Sequence, residues 1–348
     1  MADEKNYSIL ENLKNTFMTS LEGQLSKASS QKEIDEILNK FDKIDLSKIL
    51  GDTFDSIAVD TTRFMRDTMY EQVTAFRAEE QEFLARQEQK WYKAFVASES
   101  MYIMTLEAAE VYVQEVNQLS QERLKAHYYT FTAMLHIHGR AMQQFLEIVT
   151  LMKNGFADGA YARWRSMYEL VVISSFITKN GEEVAKAFIE SSNTDDRYEW
   201  AGVSGLFPKN ERYITFNDIQ KKCGIDNKIW RGQYTLANKT VHASSQGTFA
   251  RLSNLGEPNV ISVGRSDYGI TTPAEHSAIS LAHITTMFFA IYSTENSILS
   301  MKYITNWIDV IREEYFKTHD YVFPNDEKMW DDSLISYEDE TIENQTDK

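Results

Sequence analysis

Proline is scarce in this chain: four residues of 348, at Pro208, Pro258, Pro273 and Pro324, against about 17 at the average usage of about 5%. The first 207 residues hold none, and only Gly23 and Gly51 precede Gly139. Proline has no amide hydrogen and fixes its own φ, so it interrupts helix interiors and central strands. A stretch this long without turn formers predicts long helices and argues against a many-turned β-sandwich. Cysteine is scarcer still. Cys223 stands alone, which excludes an intramolecular disulfide, and no Cys/His cluster has zinc-finger spacing. A membrane-length apolar run is missing too. The longest uncharged run, 277–294, carries several hydroxyl side chains and falls short of the about 20 apolar residues a span needs. It reads as a core helix, with His283 as a satisfied core residue. The N-terminus shows neither a basic n-region nor an apolar h-region. A reducing cytoplasm is therefore the expected location, with no membrane partner.

Positive charge is in short supply, at 36 basic against 52 acidic side chains and a net charge of −16. A field of that sign repels phosphates and argues against coating nucleic acid non-specifically. The charge is uneven, however. Residues 325–348 carry nine acids and two lysines, and 321–348 is expected to be an acidic, flexible tail. Residues 209–251 carry eight basic side chains against Glu211, Asp218 and Asp226, a place where RNA or a nucleotide could bind. With 43% hydrophobic and 25% charged residues, the chain as a whole has the composition of a folded protein.

What is present is helical periodicity. Ile9, Leu10, Leu13, Phe17, Met18, Leu21 and Leu25 recur at steps of three and four. Ser30-x-x-Glu33 predicts a capping box for a second helix, and Asp60 an N-cap for a long helical stretch. Residues 1–100 read as a helical arm that pairs with another helix, a partner protein or a second copy, or lies solvated along its own domain. Residues 101–320 read as an all-α bundle. Helical spacing runs from Tyr102 to Met152, where Asn154-Gly155 supplies a stop. Asp158 begins the next helix, closed by Asn180-Gly181. Shorter helices follow over 182–191, 215–223 and 226–242. The Gly-bearing residues 247–271 suggest a β-hairpin or flap. Thr272-Pro273-Ala274-Glu275 has the pattern of a capped helix start, and helix is expected from there to about Phe316 with a break near Thr294.

Two constellations could carry chemistry. In ARWRSMYEL, Arg165 and Glu169 are four apart and share a helix face. Arg165 is either a guanidinium held by its glutamate and aimed at a phosphate, with Arg163 nearby, or half of a structural ion pair. In the run 238–244, Asn238 and His242 also share a face, with Lys239 and Ser244 beside them. A neutral histidine can act as a general base with an amide to orient it or hold substrate; equally, a histidine can simply cap a helix C-terminus. His136 and His138 point their rings roughly 200° apart on a helix, a poor metal site. His127, His276 and His319 have no adjacent partner. The phosphate-loop, Rossmann, zincin and nucleophile-elbow patterns are absent, and neither metal nor cofactor is expected.

The segments LMKNGFADGAYARWRSMYELVVISSFI and YTLANKTVHASSQG together resemble an uncharacterised bacterial family of unknown function. That family has an R-[ST]-x-x-E helix and a later Y-x-x-x-[SN]-x-x-x-H-[AG]-S segment, and the resemblance spans roughly residues 105–315. More distantly, a late histidine on a helical bundle is similar to the HEPN superfamily, with its R-x(4–6)-H signature, often R-N-x-x-x-H. Asn238-x-x-x-His242 matches the last five positions, while Ala237 stands at the arginine position and Arg165 would have to supply the guanidinium. The resemblance implies an effector or toxin of phage defence that cleaves RNA without a metal. In it His242 is base or acid, Arg165 stabilises the charged phosphorus centre, and Asn238 positions the phosphate. Glu169, Arg163, Ser244 and Lys239 would support. It equally implies a non-catalytic module that binds a nucleotide or a protein, as many superfamily members do.

Overall fold

A computed structural model describes residues 6–44, 46–195, 197–208, 213–225, 227–241, 245–249, 251–254, 261 and 263–331. The fold is all-α. Its helices are α1 (Asn6–Leu25), α2 (Gln31–Asp42), α3 (Leu46–Asn117), α4 (Gln121–Ala126), α5 (Tyr128–Lys153), α6 (Ala157–Asn180) and α7 (Glu182–Glu190), then α8 (Phe216–Lys222), α9 (Asn227–Val241), α10 (Ser245–Phe249), α11 (Thr271–Phe289) and α12 (Glu295–Val322). Two compact units divide the chain, Met1–Ala78 and Glu79–Lys348, and the division falls inside α3. Among the described residues no helix is long and apolar enough to cross a membrane.

In the first unit α1 packs on α2, with Phe17 and Phe41 edge to face at 5.2 Å between ring centres. Ser30 caps α2 as the capping box predicts, accepting the Glu33 amide at 3.3 Å, while the Glu33 carboxylate reaches back to the amide of Ser29 at 2.7 Å. Asp60 is no cap. α3 begins at Leu46 and runs unbroken through Gly51, and Asp60 instead pairs with Arg63 one turn on. An isolated glycine costs a helix only about 1 kcal/mol, too little to end one this long.

The second unit is built around α5, α6 and α11, which pack on one another, with α12 on α11 and α7, α8 and α9 on α5 or α6. Trp91, Phe95, Met101 and Tyr112 of α3 are fully buried in its core. Residues 79–100, read from the sequence as part of the arm, therefore belong to this unit. The charges occupy the outer face while Trp91 and its neighbours occupy the inner one. Burying each such side chain is worth about 1.5–3 kcal/mol, and polar atoms fix the register. The Trp307 indole donates to the Ala97 carbonyl at 2.9 Å, and Tyr112 donates to the Phe288 carbonyl while accepting the Tyr292 amide.

Helix spacing from 102 to 152 hides two breaks. α3 ends at Asn117, Ser120 caps α4, and α5 starts after His127. Glu182 then caps α5 from a distance, its carboxylate accepting the amides of Tyr129 and Thr130 at 2.9 Å. The Asn154-Gly155 stop is as expected. Gly155 has φ 75°, and a Cβ there would lie 2.6 Å from Phe83 Cζ and 2.9 Å from the Ser266 carbonyl oxygen. α11 begins at Thr271 with no side-chain cap, so Pro273 lies within the first turn, where an amide has no partner to lose. Glu275 does not close a capping box and instead pairs with Arg312 on α12 at 2.8 Å. α12 is capped by Thr294, the expected break, and extends to Val322.

The expected hairpin or flap at 247–271 shows no strand among its described residues, which form the end of α10, a 3₁₀ turn at Leu252–Asn254 and loop. The cause is that the backbone of this segment bonds to the α5–α6 corner, while inside the segment the Ser266 hydroxyl donates to the Ser253 carbonyl at 3.4 Å and accepts the Tyr268 amide at 3.2 Å. Asp158 accepts the amides of Leu252 and Ser253, the Ser266 amide donates to the Gly155 carbonyl, and Arg265 donates to the Asn154 carbonyl at 2.8 Å. His283, expected in the core, is exposed on α11, whereas His138, His276 and His319 are buried. Where the tail was expected to start, the chain folds back: the Asp320 carboxylate accepts the amides of Met329 and Trp330 at 2.8 and 2.9 Å. Residues 332–348 lie outside the described residues.

Candidate functional site

α6 places Tyr161, Trp164 and Tyr168 inward at steps of three and four, all buried. Trp164 donates to Ser280 on α11 at 3.0 Å, and Tyr168 accepts from Gln220 of α8 at 2.8 Å. This aromatic face locks the rotation of α6, and the neighbouring stripe with Arg165 and Glu169 is thereby turned toward α9. α9 is pinned in turn by Tyr161, whose hydroxyl donates to the Gln233 carbonyl at 3.0 Å, and by buried Ala237.

Four side chains then converge. Arg165 Nη2 lies 3.0 Å from Glu169 Oε1, with the two side chains 22% and 17% exposed. The same nitrogen donates to the Tyr234 hydroxyl at 3.3 Å, and that hydroxyl donates to Glu169 Oε1 at 2.9 Å. Arg165 Nε donates to Asn238 Oδ1. The guanidinium also sits over the Tyr234 ring, 5.4 Å from its centre. Burial first, and then the Glu169 carboxylate, push the Tyr234 phenol well above the usual tyrosine range, so it stays protonated and serves as a donor. Tyr198 is raised by burial, with Glu169 adding to the effect and Arg197 and Arg165 opposing it. Rings line this side of the site: Tyr234 lies between Tyr168 and Phe216, with ring centres 5.1 and 5.4 Å away.

Chemically this is a polarised, partly open network. Arg165 Nη1 and the Asn238 amide nitrogen have no hydrogen bond among the described residues. Both are donors, and both stand at the junction of α6 and α9. Charge-assisted hydrogen bonds of this kind are worth about 1.5–3 kcal/mol each, so the arginine is held in one orientation before any ligand arrives.

The structure thus unites Arg165, Glu169 and Asn238 across 73 residues of sequence. Arg163 does not join them. Two residues from Arg165, it points to another side of α6 and pairs with Glu147 on α5. Lys239 follows Asn238 on α9 and is half-buried. His242 and Ser244 lie outside the described residues. In the basic segment Lys221 pairs with Asp218 at 3.7 Å and Arg251 with Asp158 at 3.6 Å, so part of its excess charge is matched locally. Tyr234 is the participant that spacing alone left without a role. Its position four residues before Asn238 was the available signal, since Tyr234, Asn238 and His242 recur at one-turn steps. Among the described residues no group of three or more His, Cys, Asp or Glu side chains could hold a metal ion.

Fold and site together define an all-α bundle with a buffered arginine between two helices. Residues 131–201, from α5 through α6 and α7, match a family model described as a family of unknown function, DUF5677. This agrees with the resemblance to an uncharacterised family, and the match includes Arg165 and Glu169 but ends before α9. No curated protein and no solved structure matches the chain.

Proposed function

We propose that the α6–α9 site grips a nucleotide phosphate, and that the protein is a HEPN-like, metal-independent endoribonuclease acting as a toxin or effector of bacterial phage defence. The bond between Arg165 on α6 and Asn238 on α9 carries this reading, because it joins the two halves of the sequence pattern. Ala237, at the superfamily's arginine position, is buried, and Arg165 takes that arginine's part from the neighbouring helix. Asn238 Oδ1 is spent on Arg165, which leaves its amide N–H groups for a phosphate oxygen. His242, four residues beyond Asn238 in sequence, is assigned by spacing and resemblance. Its neutral imidazole takes the proton of a 2′-hydroxyl, the 2′-oxygen attacks the adjacent phosphorus, and the P–O5′ bond breaks as water protonates the 5′-oxygen, the resulting hydroxide being neutralised by the imidazolium proton. The products are a 2′,3′-cyclic phosphate and a 5′-hydroxyl. Arg165 lowers the barrier by meeting the charge that builds on the phosphorus oxygens, usually the largest catalytic contribution.

A second reading is favoured by the Glu169 pairing. The arginine's charge is already matched at 3.0 Å, as suits a module that binds a nucleotide or a protein and cleaves nothing. Labelled RNA incubated in excess chelator with wild type, His242→Ala and Arg165→Ala separates the two. Cleavage by wild type that both substitutions abolish, with helicity retained, supports the nuclease. Binding by wild type without cleavage supports the module, and equal rates for His242→Ala remove His242 from the chemistry. Growth arrest on expression, relieved by either substitution, supports the toxin role.

A further inference from the structure

The first unit holds α1, α2 and the start of α3. Among its described side chains none is buried, while Phe54, Phe64, Met65, Met69, Val73 and Phe76 of α3 are large, apolar and exposed. Fixing the backbone of each residue costs about 1–2 kcal/mol, and over 51–78 no side chain is buried to offset that cost. A helix face left this way needs a partner.

The pattern on the face identifies the partner. An α-helix turns about 100° per residue, so a step of eleven returns to within about 20° of the same line. Phe54, Met65 and Phe76 are eleven apart, as are Ala58 and Met69, and all five lie on one stripe of α3. Thr61, Thr62, Thr68 and Gln72 fill the stripe between them, and no charged residue interrupts it. The order of sizes matters. Packed helices hold a nearly constant separation of about 8–10 Å. Two copies in parallel register would oppose Phe76 to Phe76 and Ala58 to Ala58, a wide layer and a narrow one. With the two copies antiparallel and residue 67 on the two-fold axis, Phe76 meets the partner's Ala58 and Met65 meets the partner's Met69, which evens the layers. A two-fold interface demands such self-complementarity.

We propose that this stripe of α3 is the contact between two antiparallel copies of the chain, in the register that sets Phe76 on the partner's Ala58. If each of the four large apolar side chains of the stripe, Phe54, Met65, Met69 and Phe76, contributes roughly 100–150 Å² per copy, the contact removes on the order of 1,000 Å² from water, about the least that a specific interface needs.

The test uses the full chain in sedimentation equilibrium. Wild type is expected at twice the 40.3 kDa chain mass. The double substitution Met65→Glu with Met69→Glu is expected at the chain mass, with the unfolding transition of the second unit unmoved. Thr74→Glu, on the far side of α3, is expected to stay dimeric. For register, Ala58→Cys and Phe76→Cys proteins mixed under oxidation are expected to form a heterodisulfide, while Ala58→Cys alone forms none; Cys223 is buried and takes no part. A monomeric wild type, a dimer that survives the double substitution, or self-crosslinking by Ala58→Cys each overturns the proposal.

Discussion

His138 makes the stability of the second unit depend on pH in a calculable way. Its ring is buried on α5, with Nε2 3.1 Å from Thr285 Oγ1. The Thr285 hydroxyl gives its one proton to the Leu281 carbonyl at 2.8 Å, so the histidine must be the donor, neutral and protonated at Nε2. The rings of Phe288 and Phe289, 5.1 and 6.1 Å away, offer little to solvate a second proton. Burial accordingly pushes the pKa down from 6.5 to about 4. Between those values the unfolded chain binds a proton that the folded chain refuses. The stabilisation is therefore complete above pH 6.5 and is lost as pH falls toward 4. At about 1.4 kcal/mol per pH unit, the interval is worth about 3 kcal/mol. Urea unfolding of wild type and His138→Gln from pH 7.5 to 4.5 isolates it. Glutamine keeps a donor near Thr285 and cannot titrate, while His276, also held below the usual histidine range by burial, acts in both proteins. The stability difference between the two is expected to shift by about 2–3 kcal/mol in favour of the variant as pH falls. Parallel curves would show that the ring reaches solvent or titrates normally, and the reasoning would fail.

Three further outcomes follow from the geometry. In a double-mutant cycle, Arg165→Ala and Glu169→Ala should each cost about 1–3 kcal/mol and couple by at least about 0.5 kcal/mol; additive losses would show that the pair holds nothing together. Gly155→Ala should lower the melting temperature well beyond the effect of an ordinary surface change, because φ is 75° and the new methyl meets Phe83 and the Ser266 carbonyl. Asp158→Ala removes the acceptor for the Leu252 and Ser253 amides and for the Ser253 hydroxyl. Limited proteolysis near residue 252 should accelerate while global unfolding moves by only about 1–3 kcal/mol; unchanged cleavage would mean that the loop is anchored elsewhere.

Local signals announced much of the fold. Ser30, Gly155, Gly181, Gly224 and Thr294 mark helix ends through chemistry confined to a few residues. Signals that depend on distant atoms misled. Glu275 has the spacing of a capping acid, yet Arg312 lies 2.8 Å away and takes the carboxylate. Glycines at 247–271 suggested a hairpin, yet Asp158 and Gly155 hold that segment. Of the site, Arg165–Glu169 and the Asn238 turn were legible as helix-face pairs, because four residues make one turn wherever the helix sits.

The sequence by itself determined that the chain is helical, since the absence of proline from the first 207 residues and the three-to-four spacing act through the backbone of each segment alone. It also named both halves of the site. Only the tertiary structure decided that they meet. Which stripe of α6 faces α9 depends on Tyr161, Trp164 and Tyr168 packing inward against residues up to 116 positions away. That same rotation turns Arg165 to Asn238, sends Arg163 to Glu147, and brings in Tyr234 to hold the guanidinium.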